Sequence, residues 1–205
     1  MNVSLLDYGA GNLPSVERAL QRLGARSERV STSAGVANAS ALILPGVGHY
    51  GALIRALDRH GLRESLIAAI ERGVPFLGIC LGLQALFQKS EEAPDLRGLQ
   101  ILPGSVRVMS GAVKLPHMGW NQVQTKCESR LLEGIDSGAY FYFAHSYAAP
   151  YTGDEQALET RATCSYGGEF VAVAEKENIF AVQFHPEKSG DAGQRVLENF
   201  LRIAA

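Results

Sequence analysis

The stretch VPFLGICLGLQALFQ, residues 74–88, is apolar enough to be buried, yet Gly78 and Gly82 flank Cys80 two positions away on each side. A glycine inside an apolar strand weakens it and marks a bend or a close backbone approach. VPFLGIC reads as a strand and LGLQALFQ as the helix after it, which puts Cys80 at the junction. This is the sequence form of a nucleophile elbow, G-x-S-x-G, with cysteine in the serine position. The sharp turn lifts the nucleophile above the sheet edge, and side chains in place of the two glycines would clash. The start of the following helix offers N–H groups and the positive end of its dipole, and both favour a thiolate.

Upstream of the elbow, strands and helices alternate. NVSLLD (2–7) is a strand; a helix begins near Leu13 with Val16, Ala19, Leu20 and Leu23 on one face and stops at Gly24. SERV is a weak strand and ALILPG a strong one, and YGALIRALDRH and LRESLIAAIERG read as helices. Near-continuous apolar strands separated by helices predict a mostly parallel sheet covered on both faces. Downstream, SVRVM, NQVQT, AYFYFAHSY, ALETRATCSY and FVAVAEKENIFAVQFHP read as strands and hairpins. A final amphipathic helix carries Val196, Phe200 and Ile203 on one face. No repeat, low-complexity linker or boundary interrupts the chain. The reading is one α/β domain over residues 1–205, a three-layer sandwich with an antiparallel extension in its C-terminal half.

Composition narrows the partners. A net charge of −2 gives no reason to expect a nucleic acid or an anionic membrane surface. The longest apolar run, residues 74–87, is too short to span a bilayer and contains Gln84. The N-terminus lacks the features of a secretory signal. Three cysteines, Cys80, Cys127 and Cys164, make neither a disulfide framework nor a zinc spacing. The expectation is a reduced, cytoplasmic protein without a metal.

A nucleophilic thiol needs a base. Of the five histidines, His185 stands out, because it ends a strand in AVQFHPEKS with Glu187 two residues on. Strand side chains at i and i+2 point the same way, and Pro186 is read as keeping the chain extended, so Glu187 reaches the imidazole and fixes its tautomer. His60 sits in a helix C-terminal turn, where a cation is favourable. His49, His117 and His145 lie near turns or strand ends. Gly46-Val47-Gly48-His49-Tyr50-Gly51 matches the dinucleotide pattern G-x-G-x-x-G, but it does not follow the first strand, and Glu71, the acidic residue farther on, falls inside a predicted helix. A flexible oxyanion segment acting with the N–H of Leu81 is the better use of PGVG.

GICLGLQ, PGVG and QFHPEKS resemble the class I (triad) glutamine amidotransferases. DYGAGNL, PHMGWN and YFAHSY narrow the resemblance to the glutaminase subunits of imidazole glycerol phosphate synthases, over essentially the whole chain. The cysteine and HPE motifs alone specify only the class, so another class I glutaminase subunit is the alternative, against which PHMGWN argues. The resemblance implies a flavodoxin-like amidotransferase fold, no cofactor, and hydrolysis of L-glutamine to glutamate and ammonia. It further implies a heterodimer with a (β/α)₈-barrel cyclase, which uses the ammonia to make imidazole glycerol phosphate and an aminoimidazole-carboxamide ribotide in histidine biosynthesis. By position it makes Cys80 the nucleophile, His185 the acid/base and Glu187 its orienter, with oxyanion N–H groups at Gly48 and Leu81. Gly46, Val47, Gln84, His145, Ser146 and Tyr147 fall at the glutamine, and Asn12, Pro116, Trp120, Tyr142 and Lys188 at the cyclase face. His49 and Leu83 depart from the family's usual residues; the first is read as exposed and the second as a volume-conserving exchange.

Overall fold

A computed structural model describes residues 2–153 and 159–205. The first half alternates as read: β1 (Asn2–Leu6), α1 (Leu13–Arg22), β2 (Arg26–Val30), α2 (Ser33–Ala37), β3 (Leu42–Gly46), α3 (Tyr50–Arg59), α4 (Leu62–Glu71), β4 (Phe76–Cys80) and α5 (Leu81–Leu86). The second half is built from β5 (Lys89–Ser90), β6 (Ser105–Val108), β7 (His117–Gln122), β8 (Gln124–Thr125), β9 (Tyr140–His145), β10 (Tyr147–Ala148), β11 (Thr160–Ser165), β12 (Glu169–Lys176) and β13 (Ile179–Val182). A 3₁₀ turn, Pro186–Lys188, leads into α6 (Gly190–Ile203). The start of the segment read as the strand ALETRATCSY, Ala157 and Leu158, lies outside the described residues.

The main sheet runs β2-β1-β3-β4-β13-β12-β11-β8. Its β2-β1-β3-β4-β13 part is parallel, and the strands beyond pair antiparallel. β3, β4 and β13 are buried at every position, which is why their sequences read as unbroken apolar runs rather than alternations. Alternate side chains of a strand enter opposite layers. Leu42, Leu44 and Phe76 pack with Leu53, Leu57 and Leu66 of α3 and α4, whereas Ile43, Leu77 and Ile79 pack with Val16 and Leu20 of α1 and Val196 and Phe200 of α6. Cys80, Cys127 and Cys164 are all free thiols. Among the described residues, no helix is long and apolar enough to cross a membrane.

Beside the main sheet, β7 and β9 form a separate antiparallel pair, and β10, β6 and β5 another small sheet. Two readings are corrected. β7 begins at His117, well before the NQVQT segment. Its inward positions are His117, Gly119 and Asn121 while Met118 and Trp120 face out, so apolar periodicity gives no strand signal there. Finally, β13 ends at Val182, and His185 lies beyond it at the start of the 3₁₀ turn. Pro186 does not hold the chain extended. It takes the first position of the turn, where its missing N–H is no loss and its fixed φ suits the helix.

Candidate active site

The parallel strands β3, β4 and β13 end side by side, and the loops beyond them converge at the carboxyl edge of the sheet, where open α/β sheets form their binding crevice. β4 delivers Cys80. Its backbone sits at φ 54°, ψ −103°, a conformation that costs a non-glycine residue about 1–3 kcal/mol. Packing holds it there. A Cβ on Gly78 would lie 2.8 Å from the Gly82 carbonyl, and one on Gly82 would drive into the Leu44 carbonyl oxygen. Gly46 pairs with Cys80 across the β3–β4 register, and a Cβ there would lie 2.6 Å from that of Leu81. Gly46 therefore stands behind the elbow instead of on the cleft wall. α5 has only six residues, so what it offers the sulfur is the free N–H groups of its first turn more than a macrodipole.

A cleft of about 280 Å³ opens above the elbow. Its walls bring together Val47, Gly48, Cys80, Leu81, Gln84, His145, Ser146, Tyr147 and His185 from the sequence-derived set, together with Pro116 and Lys188. On one wall, His185 Nδ1 lies 3.0 Å from Glu187 Oε1, and both side chains are almost fully buried. Burial disfavours the charged imidazole, but hydrogen bonding and charge from Cys80 and Glu187 outweigh it, and the pKa rises to about 10. Near neutral pH the ring is an imidazolium beside the sulfur. The turn is braced from β9: His185 N–H donates to the Tyr142 carbonyl, and the Ser189 hydroxyl donates to the His185 carbonyl while accepting from Tyr142 N–H.

A second wall of the cleft, built on β7 and β9, carries neutral histidines. His145 Nδ1 lies 2.9 Å from the Tyr147 carbonyl, which only accepts, so that nitrogen carries the proton. His145 Nε2 must then accept, and His117 Nδ1 donates to it at 3.2 Å. His117 Nε2 in turn accepts from the Asn121 amide at 3.2 Å. Burial drives His145 down to about 3, against the carbonyl's pull, and His117 down to about 4. His117 is also sandwiched between the rings of Phe143 and Tyr166.

The remaining residues fall outside the cleft's centre. Trp120 is exposed, with Tyr142 edge-on at 6.2 Å, and Lys188 Nζ stands 5.6 Å above the Tyr142 ring. Asn12 holds the N-cap position of α1 without a side-chain capping bond. His49 is exposed, and its Nδ1 accepts from Gly51 N–H at the start of α3. Sequence reasoning missed three groups. Glu92 lines the cleft and is fixed by Tyr50 N–H at 2.6 Å. His117 backs His145, and Gln183, fully buried, approaches the Cys80 sulfur. The signal for Gln183 was present: a polar side chain inside the apolar run FAVQF must have partners. No group of residues able to hold a metal ion occurs among the described residues.

An elbow cysteine and a buried histidine–carboxylate pair share one cleft at the crevice of a mostly parallel sheet, the arrangement that thiol-dependent acyl transfer requires. A family model for class-I glutamine amidotransferases matches residues 4–204, and the chain belongs to that family. The chain is 46% identical over 201 residues to the imidazole glycerol phosphate synthase subunit HisH of Methanothermobacter thermautotrophicus, covering 98% of each chain. It is 44% identical to the chloroplastic imidazole glycerol phosphate synthase hisHF of Arabidopsis thaliana, matching 97% of this chain and 34% of that longer protein. A crystal structure of a glutamine amidotransferase superimposes with a TM-score of 0.77 over 98% of both chains; at 21% identity it speaks to the fold alone.

Proposed function

We propose that the chain is the glutamine-hydrolysing subunit of an imidazole glycerol phosphate synthase and releases ammonia to a cyclase partner. The observation that carries the chemistry is the strained Cys80 beside the His185–Glu187 pair in one cleft. Glutamine lies along the cleft with its side-chain amide at the sulfur. Glu92 is the cleft's carboxylate and faces the α-ammonium. Gln84 has its nitrogen committed to the Tyr147 carbonyl, so it offers the substrate only its oxygen.

The Cys80 thiolate attacks the amide carbon, and the N–H groups of Leu81 and Gly48 receive the oxyanion. Gly48 has φ +93°, a conformation natural only to glycine, so its peptide can turn toward or away from the site. His185 gives its proton to the departing nitrogen, the C–N bond breaks, and ammonia leaves a γ-glutamyl thioester. Neutral His185 then takes a proton from water as the oxygen attacks; the C–S bond breaks, and glutamate and the thiolate return. Glu187 holds the imidazole in register throughout.

The partner surface is proposed at the cleft mouth. Val47, Leu115, Met118 and Trp120 are exposed apolar residues there and on β7, and Trp120, Tyr142 and Lys188 form one cluster. The test is glutamine hydrolysis by the chain alone, with the cyclase, and with the cyclase carrying its own ligand. The reading requires activity that rises in the complex, is lost in Cys80→Ala, and leaves ammonia-dependent synthesis intact. Glutamine hydrolysis surviving in Cys80→Ala would overturn it.

A further inference from the structure

We propose that Gln183 is a catalytic residue: a hydrogen-bond donor to the Cys80 thiolate, set in that role by Gln84. A backbone carbonyl can only accept, so the Gln84 atom 2.8 Å from the Tyr147 oxygen is its amide nitrogen. That nitrogen's second N–H meets an amide oxygen of Gln183 at 3.2 Å. Gln183 is thereby forced to turn its own nitrogen to the Cys80 sulfur, 3.6 Å away. No amide in the series has a second orientation that keeps the bonds. Gln183 is completely buried and lies outside the cleft wall, so its N–H reaches the sulfur from the protein interior and leaves the cleft side open to substrate.

The donor acts whenever the sulfur carries charge. It favours the thiolate form, since hydrogen bonds to ionised groups are the strong ones. When the S–C bond forms, the charge passes to the amide oxygen and the N–H loses its partner. When water has added to the thioester and the C–S bond breaks, the electron pair returns to sulfur, and the same N–H receives it. Gln183 therefore favours expulsion of the thiolate, the step that ends each turnover.

This rests on Cys80 being the nucleophile, and its test is independent of activity: the pH midpoint for alkylation of Cys80 by iodoacetamide, read on the Cys80 peptide of the full chain by mass spectrometry. In Gln183→Met the midpoint rises by about one pH unit, the scale of one hydrogen bond to a charged group. In Gln84→Met, where Gln183 keeps its place but loses what orients it, the midpoint rises by less. An unshifted midpoint in Gln183→Met, or in Gln84→Met should the first variant not fold, overturns the proposal. The unmutated chain supplies a third reading: the Gln183 side-chain amide resonances follow the Cys80 midpoint, and resonances that ignore it overturn the assignment. A purely structural Gln183 would weaken glutamine binding through Gln84 and leave the midpoint where it was. Failure of the nucleophile reading looks different again, as hydrolysis that survives Cys80→Ala.

Discussion

The two walls of the cleft bury their histidines almost equally, His185 to 3% exposure and His145 to 6%, and drive them to opposite charge states. His185 has a thiol and a carboxylate for neighbours and rises to about 10. His145 has a backbone carbonyl, the His117 imidazole and the charge of His185 itself for neighbours, and falls to about 3. Burial works against the charged ring on both walls, so the partners alone decide the outcome. The elbow wall is strained and ionic. The β7–β9 wall is neutral, with each donor matched to one acceptor. The proposed function assigns proton transfer to the first and positioning to the second.

The sharpest way to break this division is to remove each histidine. His185→Ala should lower kcat by about 10³ or more, the scale of a lost acid–base group that also activates the nucleophile. His145→Gln should lower kcat/KM by about tenfold, chiefly through KM. Equal losses of kcat, measured in the complex with the cyclase, would mean that the neutral wall moves protons too. Glu187→Gln should fall between them, about 10–100-fold, because an orienter contributes less than the base it holds. It also removes the charge that helps keep His185 protonated, so the His185 midpoint moves down, which NMR titration of the ring would show.

The walls also respond oppositely to pH. His117 and His145 titrate lower folded than unfolded, so the stability they carry is present above about pH 6.5 and is lost as pH falls toward about 4 and 3. His185 titrates higher folded than unfolded, so its share is full below about pH 6.5 and is lost as pH rises through about 10. Denaturant midpoints across that range should bend down on both sides, and His117→Gln should flatten the limb between pH 6.5 and 4 while leaving the alkaline limb alone. The smallest effect is local to the elbow. Cys80→Gly should unfold later than Cys80→Ala by about 1 kcal/mol, because only the glycine relieves the positive φ. Equal stabilities would mean the elbow holds no strain.

Sequence reached the elbow because its glycines are dictated by packing: Gly78 and Gly82 are where two backbones touch, and no other residue fits. It reached the parallel half of the sheet because strands buried on both faces have no polar phase to obscure them. The nearness of His185 and Glu187 was also legible, though through the wrong geometry, since a 3₁₀ turn and an extended strand both bring i and i+2 within reach of a short bond. The neutral wall was not legible. His117 and Asn121 take their meaning from His145 and Ser165 across β7, β9 and β11, and pairings at such sequence separation leave no local period. Glu92 was hidden for the same reason, as its partner Tyr50 lies 42 positions away.

The neutrality of the histidine pair bears on the fate of the product. Ammonia is a stronger base than imidazole and takes a proton from any acid it meets, and once it is ammonium it is no longer a nucleophile. The two neutral imidazoles, His145 and His117, offer it no such acid. Each ring N–H already points at an acceptor, and neither ring binds a second proton until the solution is near pH 4. If the path from Cys80 runs beside His145, as the proposed function would have it, these two rings would leave the ammonia able to form a bond to carbon.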